Sequence, residues 1–240
     1  MNIMNLIRKK AMDNENFSGV TIAFLGDSVT QGCFEVYPKG NGMVGTIFER
    51  EYTYHNALSK IMGMLYPSVP VNIINAGISG DSAPNGLKRL ENDVLRHSPD
   101  LAVVCYGLND VHEGKENIHK YEEALRGIFT RLKEKEIETI FMTPNMMNTN
   151  ISMHIQDEDI RGIAAITADL QNNGCMDAYI DAAKKVCEEL EITVCDCYAK
   201  WKNLLEYGAD ITELLSNKIN HPTREMNWLF AVSLVETMMK

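Results

Sequence analysis

Five short runs rich in branched and aromatic residues recur along the chain: VTIAFL (20–25), VNIINA (71–76), LAVVCY (101–106), ETIFMT (138–143) and ITVCDC (192–197). Longer segments of helical periodicity separate them, at roughly 51–66, 84–97, 117–135, 176–190 and 222–239. This alternation predicts parallel strands joined by crossover helices, because parallel neighbours cannot be linked by a tight turn. The runs are apolar at nearly every position rather than every second one, which fits strands covered on both faces. The expected fold is an α/β protein, a three-layer α/β/α sandwich of flavodoxin-like type around a five-stranded parallel sheet.

The clearest breaks in the pattern are Ser98-Pro99-Asp100 and Thr143-Pro144-Asn145, which end a helix and a strand without resembling linkers. A single domain over 1–240 is therefore expected, with 1–18 as an N-terminal extension. A formal net charge of -10 argues against a nucleic-acid partner, which needs a clustered cationic surface. The N-terminal segment lacks the apolar core of a secretory signal and no window reaches membrane-spanning length, so a cytoplasmic protein without a membrane partner is expected. Six cysteines, several within strand-like runs, suit reduced buried thiols. Cys195 and Cys197 have the wrong spacing for a zinc knuckle and find no second pair, so no metal is expected. None of these features sets an oligomeric state.

In open parallel sheets ligands bind outside the carboxyl ends of the strands. The loops there read GDSVTQG, GISGDS, GLNDVHEG, PNMMNTN and YAKWKN. Nucleophilic acyl transfer needs an exposed hydroxyl, a base for its proton, and donors for the oxyanion. Ser28, at the end of the first strand and the start of a helix, is placed to be either a helix cap or a nucleophile favoured by the helix N-terminus. Gly77, after the second strand, is a candidate backbone donor, and Asn109, after the third, a candidate amide donor or an ordinary turn residue. Among six histidines, His55, His97 and His119 fall in predicted helices, His154 in a polar irregular stretch, and His112 beside the Asn109 loop. His221, in INHPTREMNW, sits where a loop meets the last helix, with Pro222 expected to fix that helix's start.

Four blocks in order, GDSVT around Ser28, NAGISGD around Gly77, YGLND around Asn109 and NHP around His221, resemble the SGNH or GDSL-type hydrolases. The resemblance implies that Ser28 attacks an ester carbonyl while His221 takes its proton and returns it to the leaving alcohol. The Ser28 and Gly77 N–H groups and the Asn109 amide would hold the oxyanion, and an acyl-enzyme would follow. No cofactor and no metal is implied. One position departs: the family usually carries an Asp three residues before the histidine, where this chain has Lys218. Either another acid orients the ring, with Asp210, Glu213 and Asp196 as candidates, or a main-chain carbonyl near Lys218 does so.

The family acts on lipids, thioesters and acetylated carbohydrates, so it implies only a small-molecule ester partner. The segment 31–54, with Gly40, Gly42, Gly45, Phe34 and Tyr37, is polar and aromatic. As a pocket wall it fits a small acyl group on a carbohydrate or other polar alcohol; a lysophospholipase or thioesterase is the alternative. Two further readings are a catalytically impaired binding protein on this fold and a flavodoxin-like phosphate binder, although neither GDS carries a P-loop lysine. The second GDS, around Ser82, is expected to cap the next helix.

Overall fold

The structure, a computed structural model, describes residues 1–40 and 43–240. Helix α1 (Asn2–Met12) precedes strand β1 (Val20–Gly26), the short helix α2 (Ser28–Gln31), strands β2 (Cys33–Gly40) and β3 (Met43–Phe48), and helix α3 (Tyr54–Leu65). Strand β4 (Val71–Gly77), helix α4 (Ala83–Asp93), strand β5 (Leu101–Cys105), helix α5 (Ile118–Glu134) and strand β6 (Glu138–Met142) then alternate. They are followed by α6 (Glu158–Asn172), α7 (Cys175–Glu189), β7 (Thr193–Cys195), α8 (Cys197–Glu206) and α9 (Asn227–Met238).

The central sheet runs β4-β1-β5-β6-β7, with every neighbouring pair parallel. From β1 the chain moves first to one side, to β4, and then back across to β5 on the other. Right-handed crossovers therefore send α3 to one face and α4, α5 and α7 to the opposite one. The helix contacts agree: α3 packs with α9, and α5 packs with both α4 and α7. Between the layers Phe24, Val103, Val104, Ile140 and Phe141 are buried from both sides, which is why their strands read as continuous apolar runs. The reversal of winding at β1 and β5 opens a crevice beyond their carboxyl ends.

The five expected strands are present, but the last is shorter than ITVCDC. Strand β7 ends at Cys195, and Asp196 turns the chain into α8 by accepting the Ala199 N–H at 3.1 Å. The last helix begins at Asn227 rather than Pro222, because Pro222 bridges to Leu215 in an antiparallel pair instead. Helices α1, α6 and α8 were not expected. The buried face of α6 includes Thr167 and Gln171, which hydrogen-bond Asn148 and Tyr198, so its apolar periodicity is diluted. The segment 31–54 holds an antiparallel pair, β2 with β3, whose register shifts break the alternation that marks a strand. Of the glycines noted there, Gly40 and Gly45 lie in this pair and Gly42 lies outside the described residues. The 1–18 extension contains α1, whose Ile3 and Ile7 enter the main core. Among the described residues no helix is long and apolar enough to cross a membrane.

Candidate active site

Strand β1 delivers the first group. At its last residue, Gly26, an added Cβ would stand 2.8 Å from the Cys105 carbonyl and closer still to Thr30 Oγ1, so only glycine lets the chain turn this tightly. Asp27 caps α2 by accepting the Val29 N–H at 3.0 Å, which leaves Ser28 as the first helical residue with a free N–H. The second Asp27 carboxylate oxygen is buried without a partner among the described residues, and burial pushes the group up to about 7.

Ser28 Oγ lies 2.9 Å from His221 Nε2 across 193 residues of chain. The other ring nitrogen, Nδ1, lies 2.8 Å from the Phe34 carbonyl oxygen. A carbonyl can only accept, so Nδ1 carries the proton and Nε2 presents its lone pair to the Ser28 hydroxyl. Burial lowers the His221 pKa to about 4, opposed by the Phe34 carbonyl and the Glu35 charge. The backbone of His221 is shaped by Asn217, whose Oδ1 accepts the N–H groups of Ile219, Asn220 and His221 at 2.9–3.0 Å. The Ser216 N–H donates to the His221 carbonyl at 2.7 Å.

The group on Nδ1 is thus neither an acid nor a main-chain carbonyl near Lys218, as the sequence suggests, but the carbonyl of Phe34. Lys218 has φ 58 and donates to Glu213 Oε2 at 2.8 Å. Glu213 is thereby engaged, and Ser152 donates to it as well. Asp210 accepts the Thr212 N–H at 3.0 Å, and Asp196 caps α8 and pairs with Lys184 at 2.5 Å. None of Asp210, Glu213 and Asp196 hydrogen-bonds His221. Residues 31–54 gave no local sign that one carbonyl among them would face a histidine 187 residues away.

The donor side also differs from expectation. Gly77 pairs in register with Gly26, but its N–H donates to Asn75 Oδ1 at 3.0 Å and its Cα abuts the backbone of α2 at Thr30 and Gln31. That glycine serves close packing, and its donor is already engaged. Gly80, three residues on in NAGISGD, has φ 77 and open space around it, and its N–H has no partner among the described residues. It lines a cleft of about 330 Å3 with Ser82, Asn109, Glu113, Asn117 and Lys120. Asn109 donates one amide hydrogen to the Asp81 carbonyl at 2.8 Å, which leaves the second for a ligand.

A buried network supports this side. Arg89 donates to the carbonyls of Gly26 at 3.0 Å and Ala76 at 2.7 Å, and pairs with Asp81 and Asp93. The Tyr106 hydroxyl donates to Asp81 Oδ2 at 2.9 Å. Arg89 thus ties the ends of β1 and β4 to the loop that holds Asn109. It was missed because an arginine on an amphipathic helix reads as a solvent residue. Ser82 stands at the N-cap of α4 but makes no capping bond; Asp110 Oδ1 accepts the Ala83 N–H at 2.8 Å instead.

The remaining histidines stay apart from the dyad. His55 is buried against the Thr30 carbonyl, 3.1 Å away, and burial lowers it to about 4, whereas His97, His112, His119 and His154 are exposed. Among the described residues no group of three or more His, Cys, Asp or Glu side chains is placed to hold a metal.

The sequence profile of the GDSL-like Lipase/Acylhydrolase family matches residues 24–229. An acetylxylan esterase from Geobacillus stearothermophilus is 26% identical over 201 residues, covering 79% of this chain and 81% of that protein. A crystal structure of an acetylxylan esterase from the same organism superposes with a TM-score of 0.68 at 23% identity, over 92% of this chain and 94% of the other. An alpha/beta hydrolase enzyme from the metagenome of Lake Arreo, Spain, gives 0.68 at 21% identity, over 92% and 96%.

Proposed function

The chain belongs to the GDSL-like Lipase/Acylhydrolase family and is a carboxylic ester hydrolase, and from that premise we propose that Ser28 is its nucleophile and His221 its general base. The observation that carries the assignment is the 2.9 Å contact between Ser28 Oγ and His221 Nε2, made with the tautomer that leaves Nε2 free to accept. Ser28 Oγ attacks the ester carbonyl as its proton passes to Nε2. The imidazolium so formed keeps its Nδ1–H on the Phe34 carbonyl, and Nε2 then returns the proton to the leaving alkoxide. Water, deprotonated by the same nitrogen, hydrolyses the acyl-enzyme.

The oxyanion is held by the Ser28 N–H, the free amide hydrogen of Asn109 and, in place of Gly77, the unpartnered N–H of Gly80. A main-chain carbonyl carries no charge, so it supports the imidazolium less than a carboxylate does. The cost falls on the chemical step rather than on binding.

The substrate proposed is a small acyl ester, such as an acetyl ester, of a carbohydrate. The cleft beside Asn109 carries hydroxyl, amide, carboxylate and ammonium groups suited to a polyol, and a relative is named an acetylxylan esterase. The whole chain is proposed to act as one unit, in the cytoplasm. Its six cysteines, all free and buried, support a reducing setting. Turnover of acetylated xylooligosaccharides and of p-nitrophenyl esters of increasing chain length, by wild type and Ser28→Ala, tests the reading. Preference for acetyl esters with loss in the variant is expected, whereas faster cleavage of long acyl chains would move the substrate to the lipid class.

A further inference from the structure

The orienting group for His221 belongs to an element outside the main sheet, so something must hold that element against the histidine. Among the described residues strand β2 pairs only with β3, and this pair forms a sheet of its own. Arg224, three residues beyond His221 on the same loop, reaches across to it. Its guanidinium forks onto Glu35, at 2.7 and 3.0 Å, and its Nε donates to Glu49. Glu35 directly follows Phe34 in β2. Glu49 directly follows β3, and its N–H is anchored on the Gly32 carbonyl at 2.9 Å. One side chain therefore grips both strands at their base, on either side of the carbonyl that faces His221. The guanidinium also lies over the Phe34 ring, 4.7 Å from its centroid.

The near end of this clamp is as firm as the far end. The Thr223 N–H donates to the Leu214 carbonyl at 3.0 Å, and the His221 carbonyl receives the Ser216 N–H at 2.7 Å. His221 and Arg224 thus stand on one braced turn and grasp adjacent residues of the hairpin. Isolated surface ion pairs contribute little, but a planar fork shared by two carboxylates is the arrangement in which geometry, more than energy, is fixed.

We propose that Arg224 is a positioning residue: through Glu35 and Glu49 it holds the Phe34 carbonyl on His221 Nδ1, the task that an Asp at position 218 would otherwise perform. The proposal rests on the Ser28–His221 reading above. A clamp of this kind fixes the imidazole tautomer and leaves substrate binding untouched, which separates it from a staple that merely secures the hairpin.

The test compares wild type, Arg224→Gln, Arg224→Lys and Ser28→Ala on p-nitrophenyl acetate, together with the tautomer of His221 read from imidazole 15N NMR. Arg224→Gln is expected to lower kcat about 10- to 100-fold with KM within about twofold, as the Nδ1–H tautomer gives way to a mixture. Arg224→Lys recovers only part of the loss, because one ammonium cannot span both carboxylates. If Arg224→Gln does not fold, Glu35→Gln/Glu49→Gln serves in its place with the same expectations. A folded variant that keeps kcat within about twofold overturns the proposal, as does a kcat loss with the tautomer unchanged or a rise confined to KM. Turnover surviving in Ser28→Ala removes instead the nucleophile assignment on which the proposal stands.

Discussion

The two walls of the site are built by different means. The serine wall is made of strand ends: β1, β4 and β5 run in register, Gly26 beside Gly77 and Cys105, so Ser28 and Asn109 leave the sheet from adjacent strands. The histidine wall is made of excursions, a two-stranded hairpin and the loop before α9, joined by side-chain hydrogen bonds. In the first wall the backbone ladder sets position, and Arg89 reinforces it from beneath. In the second, position depends on a few side chains, Asn217 and Arg224 foremost. A mutation that leaves the sheet intact can therefore disable the second wall far more easily than the first.

The contrast between the walls is tested most directly at the two atoms proposed to react, Ser28 Oγ and His221 Nε2. Ser28→Ala and His221→Ala are each expected to reduce kcat by about 10⁴-fold or more while the far-UV and near-UV spectra stay native, and the double variant should lose little beyond either one. Equal residual rates in all three would show the dyad working as a unit; additive losses would show that the two side chains act separately.

Next in size is the support beneath the serine wall. Arg89→Met leaves Asp81 buried beside Tyr106 without its cation, and should lower stability by about 3 kcal/mol in urea unfolding. An unchanged midpoint would mean that the strand ends hold the wall unaided. Asn109→Ala removes the proposed oxyanion donor and should lower kcat by about 10²-fold with KM nearly constant, measured on p-nitrophenyl acetate. A loss expressed in KM alone would place the amide on the ground-state substrate.

The histidine wall carries a pH signature. Because burial lowers His221 to about 4, its neutral form, the one proposed to act as base, persists well below the ordinary range of an imidazole. The acid limb of kcat/KM should therefore fall near pH 4 rather than near 6.5, and an inflection at the ordinary value would mean that the ring is solvated in the free enzyme. The smallest effect is expected at Ser82→Ala, within about twofold in kcat and about 0.5 kcal/mol in stability, since its hydroxyl makes no capping bond. A kcat loss matching that of Ser28→Ala would give the second GDS a part in the chemistry.

Much of the serine wall was legible from local signals. Apolar runs marked the strands, glycine marked the tight turn at Ser28, and the YGLND block placed Asn109 beyond β5. Local signals fall short at Gly77 and Gly80, two glycines three residues apart in one block. Only packing distinguishes the one pressed on α2 from the one open to the cleft. Helix α6 was illegible because its buried face carries Thr167 and Gln171, whose partners come from distant segments.

The alternation of strands and helices, and hence the parallel sheet and the crevice where its winding reverses, is written in the amino-acid sequence. So is the order of the four blocks. These are properties of residue type and periodicity, which act over a few neighbours. Which group meets His221 Nδ1 depends instead on long-range packing. Its partner is a main-chain oxygen, which every residue possesses and no residue name reveals. That oxygen becomes particular only when Arg224 draws the hairpin and the histidine loop together.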